Sequence, residues 1–307
     1  MIFYIIRKYP AAGGKWYRTG GHLVLPTGGN WYRRKAKRGQ LVPQKGAKST
    51  TMERRKEAQT TLVAKQNDLI RRSRYDLTAR GQKVLLYLIS KIKPGDDDIS
   101  CMTVDLRELC EVCGTAQLTK NFRDVASIIE DLFRVSFLAD FGDGWGHHHW
   151  LQSAIYPETV GMSREELEHF VPKVVQIGFS DELRPYLLHL RKNYTLYQLD
   201  CVLAMRSKYA IRLYEILKSY AYIGEYTTTI ADLRDDLQIA GYTTYKDIRR
   251  RVLNPAVEEI NEITDIFADP QPIKTGHAIT GIRFDILTKE HILGDAAERK
   301  RDKALNG

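Results

Sequence analysis

From Tyr245 to Ile263 the sequence reads YKDIRRRVLNPAVEEINEI, and this stretch decides the fold. Its apolar residues recur at helical spacing, which predicts a helix with one buried face. They are Ile248, Val252, Ala256, Ile260 and Ile263. Two strands are predicted next, Asp265–Ala268 and Ile279–Ile286, with the hairpin tip at Pro270-Gln271-Pro272. A helix followed directly by a β-hairpin is the ending of a winged helix.

The segments before this stretch complete a small module of helices and strands. Helices are predicted at Thr195–Ala204, Lys208–Tyr222 and Ile230–Leu237, and a brief strand at Tyr226–Thr229. The middle helix again carries an apolar stripe at helical spacing. Its members are Tyr209, Leu213, Ile216, Leu217 and Tyr220. Residues 174–287 are therefore predicted to form a complete winged helix.

The same order of elements occurs once before, within residues 61–173. Helices are predicted at Val84–Ile92, Asp105–Val112 and Leu118–Leu132, with a short strand, Ile99–Val104, after the first. Two strand runs follow, Val135–Phe141 and Trp150–Tyr156, and the glycine-rich residues between them predict a hairpin. The fold class is therefore α+β, with two tandem winged-helix domains in pseudo-repeat.

The positive charge of the chain is unevenly distributed. Its 307 residues carry 47 Lys+Arg and 38 Asp+Glu, a formal net charge of +9. Residues 1–60 hold 14 of these cations and 2 of the anions, whereas the remaining residues hold 33 and 36. The excess belongs to an N-terminal arm, so nucleic-acid binding by the folded part must be argued from local clusters.

Residues 1–60 are predicted to form a flexible basic arm, since they lack helical and strand periodicity. Within them Gly13-Gly14-Lys15-Trp16-Tyr17-Arg18 recurs as Gly28-Gly29-Asn30-Trp31-Tyr32-Arg33. Aromatic residues between cations are typical of single-strand binding. The alternative is that translation starts at Met52 and that the arm is translated repeat DNA. At the other end, residues 288–307 are predicted to be a charged, frayed tail.

The composition predicts a protein of the cytosolic, reducing compartment. No apolar run approaches the roughly 20 residues of a membrane-spanning helix. The opening MIFYII is too short for a secretion signal. Four cysteines in a chain of this length do not make a disulfide scaffold. No membrane partner is therefore expected.

The third helix of the C-terminal module carries the strongest candidate DNA-binding residues. Lys246, Arg249, Arg250 and Arg251 lie in its first two turns, away from the apolar stripe. The N-terminal residues of such a helix reach base edges, and arginine pairs bidentately with guanine or phosphate. Three adjacent arginines without an acid four residues later repel one another unless an anion is bound. A solvated helix face is the alternative interpretation.

Further candidate DNA contacts lie outside this helix. They are Arg206, Lys208 and Tyr209 around the start of the second helix, Lys274 and Arg283 on the wing, and Lys120, Asn121 and Arg123 on the third helix of the first module. Phosphate contacts at a helix start suit both charge and helix dipole. In the first module a solvated face is an equally good interpretation.

The sequence predicts no catalytic residue, metal or cofactor. His147-His148-His149 invites two interpretations, a metal site or the His-hydrophobic-His motif of rolling-circle nickases. Its middle residue is His, however, and the run is predicted in a hairpin turn. Cys110 and Cys113 form a lone CxxC pair, which favours core cysteines over structural zinc. Gly46-Ala47-Lys48-Ser49 lacks the adjacent Gly-Lys of a phosphate-binding loop.

Several short motifs between residues 62 and 287 occur in one protein family in the same order. They begin with Ala64–Ile70 and Tyr75–Thr78 and continue at Phe179–Leu187. The match is strongest over SKYAIRLYE, Ser207–Glu215, and over RRVLNP, Arg250–Pro255. On these motifs the chain resembles plasmid replication initiator (Rep) proteins, the iteron-binding initiators of theta-replicating plasmids. The arm of residues 1–60 extends beyond that family's usual start.

The resemblance implies an origin-binding initiator that is not an enzyme. Such proteins bind direct repeats in double-stranded plasmid origin DNA as monomers, help to open the adjacent DNA, and recruit the host initiator and the replicative helicase or its loader. As dimers, many bind an inverted-repeat operator and repress their own gene, with the first winged helix as the dimer interface. The helix from Lys246 to Arg251 would be the main base reader.

Two alternative functions come from different classes. One is a rolling-circle nickase that uses His147, His149 and a tyrosine. The other is a plain winged-helix repressor, for which one module and a dimerisation helix would suffice. The presence of two modules speaks against the repressor, and the departure from the nickase motif speaks against the enzyme.

Overall fold

The computed structural model describes residues 17–19, 22–24, 61–93, 95–114, 119–142 and 144–290. The chain divides into two units, residues 61–290 and the two ends, 1–60 with 291–307. In the unit of the ends, β1 (Tyr17–Thr19) pairs antiparallel with β2 (His22–Val24). This short pair corrects the prediction that the arm contains no strand. The rest of the predicted arm, with the alternative start and the Gly46–Ser49 segment, lies outside the described residues.

A short leading segment precedes the first winged helix of the larger unit. It consists of β3 (Leu62–Gln66), α1 (Asn67–Arg72) and β4 (Ser73–Arg74). Along β3 exposed and buried side chains alternate, and Val63 and Lys65 are both fully buried. A lysine therefore occupies a position that a strand normally gives to an apolar residue.

The described residues of the first winged helix form four helices, a three-stranded sheet and an inserted hairpin. Its elements are α2 (Ala79–Ser90), β5 (Met102–Asp105), α3 (Leu106–Val112), α4 (Thr119–Arg134), β6 (Ser136–Asp140), β7 (Trp145–His149), β8 (Leu151–Ile155), α5 (Arg164–His169) and β9 (Val174–Phe179). The Asp105 side chain accepts a hydrogen bond from the Arg107 amide and so caps α3 at the position where this helix is predicted to begin. The antiparallel sheet has the order β5–β9–β8.

The predicted hairpin between Val135–Phe141 and Trp150–Tyr156 is wrong, because the two runs lie in different sheets. β6 pairs with β7, with His147 opposite Leu138, whereas β8 pairs with β9. The glycine-rich turn after β6 leads directly into the histidine run, which is therefore a strand and not a turn. The alternation on β7 was hidden because its members are tryptophan, glycine and histidine rather than aliphatic residues.

The pairing of β9 bears on where the first winged helix ends. Because β9 (Val174–Phe179) lies between β5 and β8 and pairs with both, it completes the three-stranded sheet of the first winged helix. The division into residues 61–173 and 174–287 remains a prediction. We propose from this pairing that the first winged helix extends at least to Phe179.

Three short elements connect the two winged helices. They are α6 (Arg184–Leu187), β10 (Tyr194–Gln198) and α7 (Leu199–Ala204). The predicted helix Thr195–Ala204 is thus wrong in its first half, where β10 pairs antiparallel with β3. Thr195 and Tyr197 point inward while their neighbours are exposed, an alternation typical of a strand.

The second winged helix repeats the topology of the first. Its elements are α8 (Lys208–Tyr220), β11 (Glu225–Thr229), α9 (Ile230–Asp236), α10 (Tyr245–Ile248), a π-helical turn (Arg249–Leu253), α11 (Asn254–Ile263), β12 (Ile266–Thr275) and β13 (Ala278–Thr288). The sheet order β11–β13–β12 matches the order β5–β9–β8. The predicted α+β fold with two winged helices in pseudo-repeat is confirmed.

The predicted tip of the second hairpin is wrong. β12 continues through Pro270 and Pro272, and the chain turns only at Gly276, where φ is +62°. Prolines are tolerated there because β12 is an edge strand, so the missing amide hydrogens need not break a ladder. The wing is consequently longer than predicted.

A buried polar cluster joins the leading segment to α8. The Lys65 Nζ lies 2.9 Å from Glu215 Oε1, and Tyr75 donates a 3.0 Å hydrogen bond to the same carboxylate. Arg212 donates to the backbone carbonyls of Ile70 and Ser73 at 2.7 and 2.6 Å. These contacts hold α8, the first helix of the second winged helix, against the segment that leads into the first winged helix. Within the described part of the chain, no helix is long and apolar enough to cross a membrane.

Candidate nucleic-acid interface

The candidate interface is built on the third helix of the second winged helix, Tyr245–Ile263. Thr244 begins it, since its Oγ1 accepts a 3.2 Å hydrogen bond from the Asp247 amide. Ile248, Val252 and Leu253 are buried, which anchors one side of the helix on the core. The opposite side is left to solvent.

That solvent-facing side carries the predicted cations. Lys246, Arg249, Arg250 and Arg251 are all exposed. Arg250 has an acidic neighbour after all, three residues earlier, where its Nη2 lies 3.2 Å from Asp247 Oδ1. Arg251 lies over the ring of Tyr242 at 5.6 Å. An exposed ion pair contributes only about 0–1 kcal/mol, so Arg250 can exchange this partner for an anion at little cost.

The electrostatic state of Asp247 reflects the same neighbours. The hydrogen bond from the Thr244 hydroxyl, together with the nearby Arg250 and Arg251, holds the pKa of the Asp247 carboxyl below its ordinary value. Asp247 is thus ionised at neutral pH and steadies the first turn through the helix dipole. Its negative charge offsets part of the positive charge on this face of the helix, while the cationic side chains stay exposed to solvent.

A groove runs between this helix and the wing. Its lining consists of Tyr245, Lys246, Arg249, Arg250, Asn254 and Ile279. Three of the six are cations, and Ile279 belongs to β13 of the wing. The Oδ1 atom of Asn254 is buried and has no hydrogen-bond partner in the described part of the chain. A cationic groove that includes an unpaired amide is suited to a polar, anionic ligand.

Sequence reasoning missed half of this lining. Tyr245, Asn254 and Ile279 were not among the predicted site residues. The tyrosine opens the quoted helix and the asparagine lies inside it, but neither carries a charge to mark it. Ile279 was read only as part of a strand. Proximity between helix and wing, which brings these three together, is visible only in the folded chain.

The two wing cations are both exposed. Lys274 lies near the end of β12, close to the turn at Gly276. Arg283 lies on β13, where its Nε is 3.2 Å from Asp285 Oδ1. Both side chains therefore project from the wing, and only that of Arg283 has an ion pair among the described residues.

The candidates around the start of α8 differ in their surroundings. Glu259 accepts hydrogen bonds from the backbone amides of Arg206 and Ser207, while the Arg206 side chain is exposed. Lys208 forms an ion pair with Asp76 and also lies 5.1 Å from the ring centroid of Tyr209. Tyr209 is half-buried against the core. Arg206 is the most available of the three.

The candidates of the first module lie at the start of α4. The side chains of Lys120 and Asn121 lie outside the described residues. Arg123 is exposed and donates a 3.0 Å hydrogen bond to the His169 carbonyl at the end of α5.

The histidine run lies on β7, the edge strand of the inserted hairpin. His148 packs near Phe137 and Phe141, with ring centroids 5.6 and 4.9 Å away, and its Nδ1 is 2.7 Å from Glu182 Oε2. His147 and His149 are exposed. Among the described residues, no three His, Cys, Asp or Glu side chains lie close enough to hold a metal ion.

Two of the four cysteines fill the core. Cys110 and Cys201 are buried, as predicted for core cysteines, whereas Cys113 is half-buried and Cys101 is exposed. Burial raises the pKa of the Cys113 thiol, although Arg80 nearby partly opposes this. Burial likewise raises the pKa of the Cys201 thiol, so these two thiols are protonated at neutral pH.

Two winged helices, the second with an exposed cationic face beside its wing, define a winged-helix protein of the DNA-binding class. The chain belongs to the family of initiator replication proteins. The family's first domain, described as Initiator Replication protein, WH1, matches residues 62–218. Its second, described as Initiator Rep protein, WH2, matches residues 229–286. The resemblance to plasmid replication initiators is therefore confirmed.

Two solved structures align with this chain at low sequence identity, and the first of them has the same fold. The chain is similar to the Pi initiator protein, whose crystal structure is in complex with iteron DNA, with a TM-score of 0.56 and 17% identity over 75% of this chain and 98% of that one. Domains 2 and 3 of RctB align with a TM-score of 0.42 and 11% identity, over 70% of this chain and 85% of that one.

A curated relative from Escherichia coli covers part of the chain. It is called an uncharacterized 27.6 kDa protein and is 32% identical over 118 residues, which is 38% of this chain. The match spans about half of that relative's length, 48%.

Proposed function

We propose that this chain initiates plasmid replication by binding directly repeated sites in the origin through its second winged helix. The observation that carries the proposal is the groove between the third helix and the wing, into which Lys246, Arg249 and Arg250 project. Membership of the initiator family supports it, as does the similarity to an initiator crystallised with iteron DNA.

The chemistry of the groove fits base reading. Arginine presents a planar fork of donors that matches the O6 and N7 acceptors of guanine, and such a pair is worth about 1–3 kcal/mol of discrimination. Arg250 forms an ion pair with the solvent-accessible carboxylate of Asp247, which orients its guanidinium group. Because an exposed ion pair is weak, the guanidinium can exchange this partner for a base. We assign base contacts to Arg249, Arg250 and Lys246, and a base or phosphate contact to Arg251.

The remaining candidates are proposed as backbone contacts of unequal weight. Arg206, Lys274 and Arg283 are exposed around the same winged helix and would meet phosphates. Lys208 and Tyr209 already have partners within the chain, and so does Arg123, which makes them weaker proposals. Lys120 and Asn121 remain predictions from the sequence.

The partners are proposed from the family. We expect monomers on direct repeats, dimers joined through the first winged helix on an inverted-repeat operator, and recruitment of the host initiator and replicative helicase or its loader. The chain would act in the bacterial cytoplasm, where plasmid DNA lies. DNA binding is then its contribution to initiation, and strand separation is carried forward by the recruited enzymes.

A binding experiment tests the proposal. Purified chain is titrated against the DNA that flanks its own gene, with footprinting to locate protected repeats, beside a variant carrying Arg249→Ala and Arg250→Ala. Arg164→Ala, an exposed arginine on α5, is the matched control. We expect repeat protection by the native chain and the control and its loss in the double variant. Equal protection by all three would contradict the assignment of the third helix.

The same DNA separates the initiator from the nickase. Supercoiled plasmid that carries the footprinted region is incubated with the native chain and a divalent metal ion. We expect it to stay supercoiled. Relaxation that depends on His147 or His149 would instead favour a nicking enzyme.

A further inference from the structure

The third helix of the second winged helix is not a regular α-helix. Between α10 and α11, residues Arg249–Leu253 form a π-helical turn, in which the Asn254 amide bonds to the Arg249 carbonyl five residues earlier. A π turn holds about one residue more per loop than an α turn and is often found at functional sites. It occurs here within the cationic part of the helix.

The sequence explains the turn at two levels. Pro255 lies at the second position of α11, and it has no amide hydrogen to donate. In an α-helical register its ring would also clash with the carbonyl four residues before, that of Arg251, so proline excludes the straight helix at this point. The wider turn avoids the clash.

The apolar spacing favours the same geometry. Ile248 and Ile260 are both fully buried, although they lie twelve residues apart. In a straight α-helix that separation overshoots three turns by about 120°, so the two side chains would leave different faces. Each residue of a π-helix rotates the chain by less than a residue of an α-helix does. Over five residues this difference removes about 90° of the overshoot, so both side chains can face the core.

The same rotation brings a polar residue into the groove. Lys246 and Asn254 are eight residues apart, a separation that would place them about 80° apart on a straight α-helix. The wider π turn reduces that angle, and both residues line the groove beside Arg250. The buried Asn254 Oδ1 has no hydrogen-bond partner among the described residues. An unpaired buried acceptor is costly unless a ligand donates to it.

We propose that Asn254 is a specificity-determining residue of the DNA interface and that Pro255 positions it there by imposing the π turn. The inference rests on the proposed function and extends it to a residue without charge. Because its Oδ1 is buried in the free chain, the side chain would turn into the groove on binding, where an asparagine amide pairs bidentately with adenine, accepting from N6 and donating to N7. The helix therefore reads a short row of base pairs, with guanine contacts from the arginines followed by adenine at Asn254.

The test measures base preference position by position. The native chain, Asn254→Ala and Pro255→Ala are each bound to a library in which every position of the footprinted repeat is randomised. Pro185→Ala is the matched control, because it removes an exposed proline in the first turn of α6, where proline is tolerated. Thermal unfolding and affinity for unrelated DNA are measured on all four.

We expect Asn254→Ala and Pro255→Ala to lose about tenfold of the preference for adenine at one shared position, while preferences elsewhere and affinity for unrelated DNA stay unchanged. The unfolding temperature of Pro255→Ala should be equal or higher, since a helix-interior proline is removed. Unchanged preference at every position, or a uniform loss at all positions together with lowered stability, would overturn the proposal. Absence of any preference in the native chain would instead refute the proposed function itself.

Discussion

Two groups of charged residues in this molecule use the same side-chain types for opposite purposes. Lys65, Arg212 and Glu215 are buried between β3 and α8, and their charges meet one another or backbone carbonyls. Lys246 and Arg250 lie on the surface of the third helix. Arg250 forms an exposed ion pair with Asp247, and among the described residues no other ion pair joins either cation to an acid. Burial, rather than residue type, separates a structural charge from one that is available to a ligand.

The family motif illustrates this difference. The stretch that matched most strongly, Ser207–Glu215, contributes Arg212 and Glu215 to the buried cluster. Burial by itself would raise the pKa of Glu215, but Lys65 and Arg212 outweigh it and hold the pKa below its ordinary value. Burial raises the pKa of Tyr197, whose hydroxyl donates to Glu215. The first motif therefore contributes to an interior network, whereas the second contributes the exposed Arg250 and Arg251.

The largest effect is expected where a buried charge loses its partner. Glu215→Ala leaves Lys65 and Arg212 facing each other in the interior, and breaking such a pair costs about 3–5 kcal/mol. We expect this loss in the free energy of unfolding, measured with urea. Glu225→Ala, at an exposed glutamate on β11, is the matched control and should change little. A loss below about 1 kcal/mol would mean that the cluster contributes no more than a surface ion pair.

Acid should remove part of the same stabilisation. Because the folded-state pKa of Glu215 lies below its unfolded value, the unfolded chain takes up this proton first and the contribution of the carboxylate falls as the pH drops. We expect the stability difference between the native chain and Glu215→Gln to be constant above about pH 4.3 and to narrow below it. Urea titrations at several pH values measure it. A difference that widens in acid would reverse the assigned direction.

An intermediate effect is expected on the surface, and on binding rather than folding. Arg250→Ala should weaken binding to the repeat by about 1–3 kcal/mol and relax the preference at one base pair, because a bidentate contact is lost. The free energy of unfolding should change by less than about 0.5 kcal/mol, as is usual at an exposed site. Binding titrations and urea unfolding of one preparation give both values. Lost stability with unchanged binding would place Arg250 with the buried group.

The smallest effect is expected at the wing. Lys274→Ala removes one proposed phosphate contact, so affinity should fall slightly and equally for repeat and unrelated DNA. The slope of log affinity against log salt should decrease by about 1. Titrations at several salt concentrations measure this slope. An unchanged slope would show that the wing lysine does not meet the phosphate backbone.

Much of the fold was predictable where the signal is local. The start of α3 at Asp105 was predicted correctly. The apolar periodicity also predicted the third helix of the second winged helix from Tyr245 to Ile263, as the structure has it. The errors arose where pairing partners decide the structure. The histidines of β7 and the first half of Thr195–Ala204 become strands only because β6 and β3 lie beside them.

The candidate site was predictable only in its charged part. Lys246, Arg249 and Arg250 were identified from their place on one helix, and they line the groove. Asn254 was missed because its direction depends on the π turn, and a straight helix would point it elsewhere. The sequence does carry a signal of that turn, because the apolar residues recur every four positions and Pro255 lies between two of them.

The sequence by itself determined the two winged helices, the family and the cationic helix, because periodicity, caps and charge are properties of neighbouring residues. Tertiary structure alone decided which charges are structural and which are exposed. It also decided which strands pair and which uncharged residues share the groove. The physical reason is that burial and register depend on residues far away in the chain, as when Lys65 meets Glu215 across 150 positions.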